Sequence, residues 1–295
     1  DGQERTIDYT PSVATDICGL QRGPHGDIYG TTIISMHVFR YDPATKELRD
    51  LGKVGWNGGE VYDVISCSDK VYMGSYGGGY FACYDPARDW HPMPEHGGEH
   101  PDANPRNFGP LGEPMNRPFE YTVGPDGRIY IACRANYHVS GGGLAIFDPV
   151  TEQKTVYRDA DQSVQSIASD ATWVYGGTSI RGGRGCIETS AEAKLFMFSP
   201  QENRRVFECI PHWGAIAIGN LAVSRITGYV YGSTDEGSVF AFCPQQRRVV
   251  WRWSLNNTGT PLMGVPEAHG IIHLTCARDG DIYGVTQCEV FKIDV

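Results

Sequence analysis

Apolar and polar positions alternate along this chain in short runs, and six times the alternation is punctuated in the same way. A turn rich in Gly and Asp leads into an apolar residue followed by Tyr, and an aromatic or aliphatic pair then closes on Pro or its equivalent. The phrase reads HGDIY with VFRYDP, SDKVY with YFACYDP, DGRIY with LAIFDP, ATWVY with LFMFSP, TGYVY with VFAFCP, and DGDIY with VFKIDV. Period-two alternation bounded by turn residues marks strands with one buried face. Its return at a long period marks one supersecondary unit stacked many times. The fold expected is an all-β propeller of four-stranded antiparallel blades.

The recurring Tyr29, Tyr72, Tyr130, Tyr175, Tyr231 and Tyr283 serve as a ruler, with intervals between 43 and 58 residues. Each interval holds four strands, placed in the first unit at 16–23, around Tyr29, at 39–41 and at 48–51. Six blades are expected, with seven as the alternative. The sixth unit stops at Val295 after its third strand. The segment ERTIDYTP at 4–11 resembles an outer strand such as QKTVY at 153–157. The N-terminal strand is therefore expected to close the ring and remove an exposed edge. Residues 1–295 then form a single domain.

In a four-stranded meander, the connections between strands two and three share one face with the links from blade to blade. On that face the sequence inserts residues 134–143 and 179–194, and the link 90–117 is expected to open there as well. Variable loops on a rigid scaffold are where binding sites are built. They carry His37, Trp56, Tyr76, His91, Arg117, Arg134, Tyr137, His138, Arg181, Arg184, His212, Trp213 and His269. Loops are polar in any case, so no single residue decides the matter; convergence of several loops on one axis does. Ten residues before the ruler tyrosine stand Glu120, Gln165 and His273, polar where an inner strand should be apolar. Channel water would satisfy them, and the functional reading has Glu120 and His273 reach a ligand at the channel mouth.

A net charge of −10 argues against a nucleic-acid surface. No apolar run is long enough to span a membrane. The nine cysteines include no CxxC pair and fall mostly within expected strands, as small hydrophobes. That favours a reducing, cytoplasmic setting, with secretion still open to a chain whose leader was removed. GxSxG, GxGxxG and Walker loops are missing, so no nucleotide cofactor is expected.

The chemistry these residue types suit is β-elimination on a uronate: a base for the α-proton, an acid for the leaving oxygen and cations for the carboxylate. Tyr137, His138, His37 and His212 supply proton carriers. Arg117, Arg134, Arg181 and Arg184 supply bidentate carboxylate partners, and Trp56, Tyr76 and Trp213 supply rings to stack on sugars. An acidic saccharide is the expected partner. One alternative is a metal-dependent hydrolase or lactonase with a divalent cation, Ca²⁺, in the central channel near Glu120, His273 and Asp16. Another is a non-catalytic interaction propeller, although WD signatures are absent. His91, His96 and His100 follow at intervals of five and four residues, but Pro92 and Pro94 forbid the helix that would align them as metal ligands.

Several stretches are similar to known sequences: HVFRYDP at 37–43, GEVY at 59–62 with YMGSY at 72–76, NRPF at 116–119 with residues 137–143 and FDP at 147–149, and RGGR at 181–184 with EAKLF at 192–196. They resemble propeller proteins of microbial carbohydrate degradation, among them the polysaccharide lyases that cleave rhamnose-glucuronate linkages. The resemblance runs from about Asp16 to Pro200. It implies uronate β-elimination with His and Tyr as proton carriers and Arg as the carboxylate partner. Those lyases have seven blades, whereas six units are counted here.

Overall fold

A computed structural model describes residues 17–33, 36–54, 59–92, 102–254, 272–286 and 289–295. Blade one comprises β1 (Ile17–Arg22), β2 (Ile28–Thr32), β3 (His37–Asp42) and β4 (Glu47–Lys53). Blade two has β5 (Val61–Cys67), β6 (Lys70–Ser75), β7 (Tyr80–Tyr84) and β8 (Arg106–Pro110). Blade three has β9 (Met115–Val123), β10 (Ile129–Ala135), β11 (Gly142–Phe147) and β12 (Lys154–Asp159). Blade four has β13 (Ser163–Ser169), β14 (Val174–Ser179), β15 (Leu195–Ser199) and β16 (Arg204–Cys209). Blade five has β17 (Ile218–Val223), β18 (Val230–Thr234), β19 (Ser238–Cys243) and β20 (Arg248–Ser254). Blade six has β21 (His273–Cys276), β22 (Ile282–Val285) and β23 (Val290–Ile293).

All pairings are antiparallel meanders, and the inner strands β1, β5, β9, β13, β17 and β21 neighbour one another in that order. The architecture is a six-bladed β-propeller, as the repeats predict. The N-terminal segment 4–11, expected as the fourth strand of blade six, lies outside the described residues.

The repeated phrase has a physical cause in each part. In blade three an Asp closes the hairpin turn and then receives the ruler tyrosine: the Asp126 carboxylate accepts from Arg128 N–H and from the Tyr130 hydroxyl, at 3.2 and 2.9 Å. Asp170 does the same for Thr172 and Tyr175, at 2.7 and 2.5 Å. The glycine after the ruler tyrosine makes room for the third strand's aromatic ring. A Cβ on Gly30, Gly176, Gly232 or Gly284 would meet Phe39, Phe196, Phe240 or Phe291 within about 2 Å, closer than atoms can approach. Five apolar clusters form between successive blades, each holding aromatic rings, for example Phe81 and Phe147 between blades two and three. Burial of each ring contributes roughly 1.5–3 kcal/mol. Contacts between blades therefore carry the stability of the ring.

Two expected features are corrected. Residues 90–117 are not one link on the loop face, because they contain β8, the outer strand of blade two. The described residues before it, 85–92 and 102–105, follow strand three and precede strand four, so this connection leaves and returns on the face of the short hairpins. His91 sits there, bridged to Asn104 through backbone hydrogen bonds of 2.6 and 2.8 Å; His96 and His100 are outside the described residues. The second correction concerns Arg134, which belongs to β10 rather than to an inserted loop; it is only 4% exposed.

Candidate functional site

Two docked loops build the site on the predicted face. The loop 136–141 of blade three and the loop 180–194 of blade four share backbone bonds, Gly183 N–H to Val139 O at 2.8 Å and His138 N–H to Arg184 O at 3.0 Å. The RGGR stretch makes this possible, since a Cβ on Gly183 would fall 1.6 Å from the Asn136 carbonyl oxygen. From blade two the loop 76–79 leans in. Gly78 N–H donates to the Asn116 side-chain oxygen at 2.7 Å, and Gly79, at φ 61, touches the start of β9.

These supports bring Tyr76, Arg117 and Tyr137 together. The two tyrosine hydroxyls are hydrogen-bonded to each other. Arg117 donates to the Tyr137 hydroxyl at 3.1 Å, and its guanidinium lies over both rings, 4.5 Å from the Tyr76 centroid and 5.2 Å from that of Tyr137. Tyr137 is 39% exposed, so its hydroxyl is within reach of a ligand. The hydrogen bond with Tyr76 lowers the pKa of Tyr137, and Arg117 and Arg184 push the same way. Burial raises that of Tyr76, with its bond to Tyr137 adding to the effect. The pair is polarised: one phenol keeps its proton while its partner gives one up more readily.

Beneath this cluster, Tyr62 and Glu60 complete the constellation, and neither was singled out by residue type. Tyr62 packs edge-on against Phe119 at 5.0 Å and interacts with Arg117. Burial raises the pKa of Glu60 against the opposing pull of Arg117. Both stand in the GEVY stretch, whose polar residues at the threshold of an inner strand were the available signal.

The other expected site residues are distributed around the face. Arg134 places its guanidinium over Phe119 at 5.0 Å and donates to the Gln165 side-chain oxygen at 3.2 Å, beneath the surface cluster. Arg184 is exposed and acts on Tyr137 through its charge. Arg181 lies 3.8 Å from Glu188. His138 turns its ring to the blade-four loop, with Nδ1 3.4 Å from Gly185 O. His37 pairs with Asp50 at 2.9 Å on the outer part of blade one. His212 sits 3.1 Å from the Trp213 carbonyl oxygen in the link to blade five, and Trp213 is 70% exposed. Trp56 and His269 are outside the described residues. Of the expected set, the structure joins Tyr76, Arg117 and Tyr137 in direct contact.

Glu120 plays a different part from the one expected. Its Oε2 accepts Ile167 N–H at 2.8 Å and its Oε1 accepts the Asn220 amide at 2.8 Å, while Asn220 Oδ1 accepts Leu274 N–H at 2.7 Å. The carboxyl thus ties blade three to blades four and five, and Asn220 extends the tie to blade six. Asp63 makes the equivalent clip from blade two to the Tyr121 backbone, with Gln21 of blade one as a further donor. These positions share one ladder level: Asp63 pairs with Gly74, Glu120 with Ala132, Ser166 with Gly177, Asn220 with Ser233 and His273 with Val285. Burial lowers the pKa of His273. Below Glu120 a channel cavity of about 650 Å³ opens between blades, lined by Thr122, Ser169, Ser224 and Thr275 among others. It faces the short-hairpin side, away from the tyrosine cluster.

Of the residues expected around a channel cation, Asp16 lies outside the described residues. Both Glu120 oxygens are occupied by N–H donors, and among the described residues no three His, Cys, Asp or Glu side chains are grouped to hold a metal. The described cysteines are free thiols, four of them buried. Among the described residues no helix is long and apolar enough to cross a membrane. Comparison with protein-family models and with curated proteins found no match.

Proposed function

We propose that the protein is a lyase that cleaves a uronate-containing glycan by β-elimination at the Tyr76, Arg117 and Tyr137 cluster. The observation that carries this reading is the exposed Tyr137 hydroxyl, held between the Tyr76 hydroxyl and the Arg117 guanidinium, with its pKa lowered by both. A phenol prepared in this way is a base for a proton of a carbon acid.

In the reaction Tyr137 removes the proton α to the uronate carboxylate. The C–H electron pair forms the C=C bond, the bond to the β-oxygen breaks, and that oxygen leaves with a proton. Tyr76, which retains its proton, is placed to pass one through Tyr137 to the leaving oxygen. Arg117 and the nearby Arg184 would pair with the carboxylate and stabilise the charge that builds on it as the proton departs. Exposed Trp213, on the same face, supplies a ring for an adjoining sugar. The resemblance of the GEVY, NRPF and RGGR stretches to rhamnose-glucuronate lyases points to the same reaction.

Incubation with a panel of uronate polysaccharides, monitored for the ultraviolet absorbance of an unsaturated uronate, tests the reading. Absorbance that grows with the native protein and not with Tyr137→Phe supports it; no absorbance on any uronate polymer overturns it.

A further inference from the structure

The rim cluster contains one carboxyl that the elimination does not use. Glu60 stands just before β5, and its carbonyl oxygen accepts Tyr76 N–H at 2.9 Å, which ties it to the loop carrying the site. Its Oε2 is buried and has no hydrogen-bond partner. The groups that face the carboxyl are Tyr62 on the same segment, Tyr76 in the neighbouring loop and Arg117 of β9. Tyr62 in turn interacts with Arg117.

A carboxylate anion with one oxygen buried and unbonded is expensive, whereas the neutral acid loses far less on leaving water. An Arg built to pair with Glu60 would grip both of its oxygens in a fork. Arg117 instead spends an N–H on Tyr137 and spreads its plane over two phenol rings. We propose that Glu60 is a positioning residue of this site: uncharged, it fixes Tyr62 and through it Arg117, and leaves the guanidinium charge to Tyr137 and to the carboxylate of a ligand. The role of the ligand rests on the uronate reading; the state of Glu60 does not.

Burial raises the Glu60 pKa, the direction this role requires, and outweighs Arg117, the Glu60 N–H and the Tyr62 hydroxyl, which favour the anion. Linkage then follows. A carboxylate held by Arg117 adds negative charge near Glu60 and favours its acid form, so binding takes up protons and is tighter at low pH. Once Glu60 ionises, it competes with the ligand for Arg117.

The test is a carbon-13 NMR titration of glutamate side-chain carboxyls, with the Glu60 signal assigned by its loss in Glu60→Gln or, if that variant does not fold, in Glu60→Asp. Glu60 is expected to titrate above the ordinary glutamate value of about 4.3, and higher still with glucuronate as the probe. Glucuronate affinity is expected to fall severalfold between about pH 5 and about pH 8 in the native protein, and to lose that pH dependence in Glu60→Gln. A Glu60 that titrates at or below the ordinary value overturns the inference. A high Glu60 value that glucuronate leaves unmoved supports the uncharged positioning role and overturns the uronate reading instead.

Discussion

Arg117 donates to the Tyr137 hydroxyl at 3.1 Å while its guanidinium rests on the Tyr76 ring, 4.5 Å from its centroid. One cation therefore serves both members of a hydrogen-bonded phenol pair. The charge lowers the cost of a phenolate at the exposed member, and the ring contact holds the cation in place.

If Tyr137 is the base, Tyr137→Phe should reduce the elimination rate by roughly a hundredfold to ten-thousandfold, the usual worth of a positioned general base. The melting temperature should barely move, because this hydroxyl lies on the rim outside the apolar clusters between blades. Steady-state rates on the responsive polymer, paired with a thermal melt, give both numbers.

Tyr76→Phe removes the hydrogen bond that does most to lower the Tyr137 pKa. A base must be deprotonated to act, so the rate rises with pH through that pKa. In Tyr76→Phe the rising limb of kcat/KM should move to higher pH, with the plateau less affected than in Tyr137→Phe. A limb that stays in place would mean that Tyr137 does not set it.

Gly183→Ala tests the docking of the two loops. The added Cβ would lie 1.6 Å from Asn136 O, so the loops must part. Overpacking of this kind costs about 1–3 kcal/mol. The effect should be local: faster hydrogen exchange at the Gly183 and Val139 amides and loss of activity, with blades one and five unchanged.

The blades were legible because units repeat residues that act locally, an Asp that receives the ruler tyrosine in blades three, four and six and a glycine that admits a Phe in blades one, four, five and six. The ring at the axis was legible only in part. A constant offset of ten residues from the ruler finds Glu120 and His273, but it selects Gln165 in place of Ser166 and passes over Asp63 and Asn220. The reason is that the first hairpins differ in length and the inner strands bulge, as at Val61 to Asp63 and Ile218 to Asn220. Pairing register, rather than distance along the chain, defines equivalent positions. Strand β8 was hidden for a related reason. Its sequence RNFGP lacks alternation and ends on proline, so it reads as loop until the register with β7 is known. At the site, Tyr76, Arg117 and Tyr137 were visible as unusual residues on one face. Glu60 was not, because its significance lies in a buried oxygen without a partner.

Glu120→Ala should destabilise the ring without altering Tyr137. It leaves Ile167 N–H and the Asn220 amide without their acceptor, at about 1–3 kcal/mol for each donor that stays unsatisfied. Urea unfolding should report the loss, while the Tyr137 titration should match that of the native protein. A shifted Tyr137 would show that the axial tie also shapes the rim.

Asp63 makes the stability of the ring depend on pH in a direction opposite to that of a surface carboxylate. It is buried between the inner strands of blades one, two and three, and desolvation raises its pKa from 3.8 to about 7 although Val64 N–H, Gln21 and Tyr121 N–H oppose the shift. The folded state therefore holds this proton more tightly than the unfolded chain does. Stability from that difference is fully present below the unfolded value of 3.8 and is lost as pH rises through the folded value of about 7. Asp63→Asn cannot ionise, so it should flatten this component of the unfolding free energy. Denaturant melts of both proteins across that window should show the native curve falling by a few kcal/mol relative to the variant. A difference that grows in the other direction would mean that Asp63 is ionised in the fold, held as an anion by its three donors.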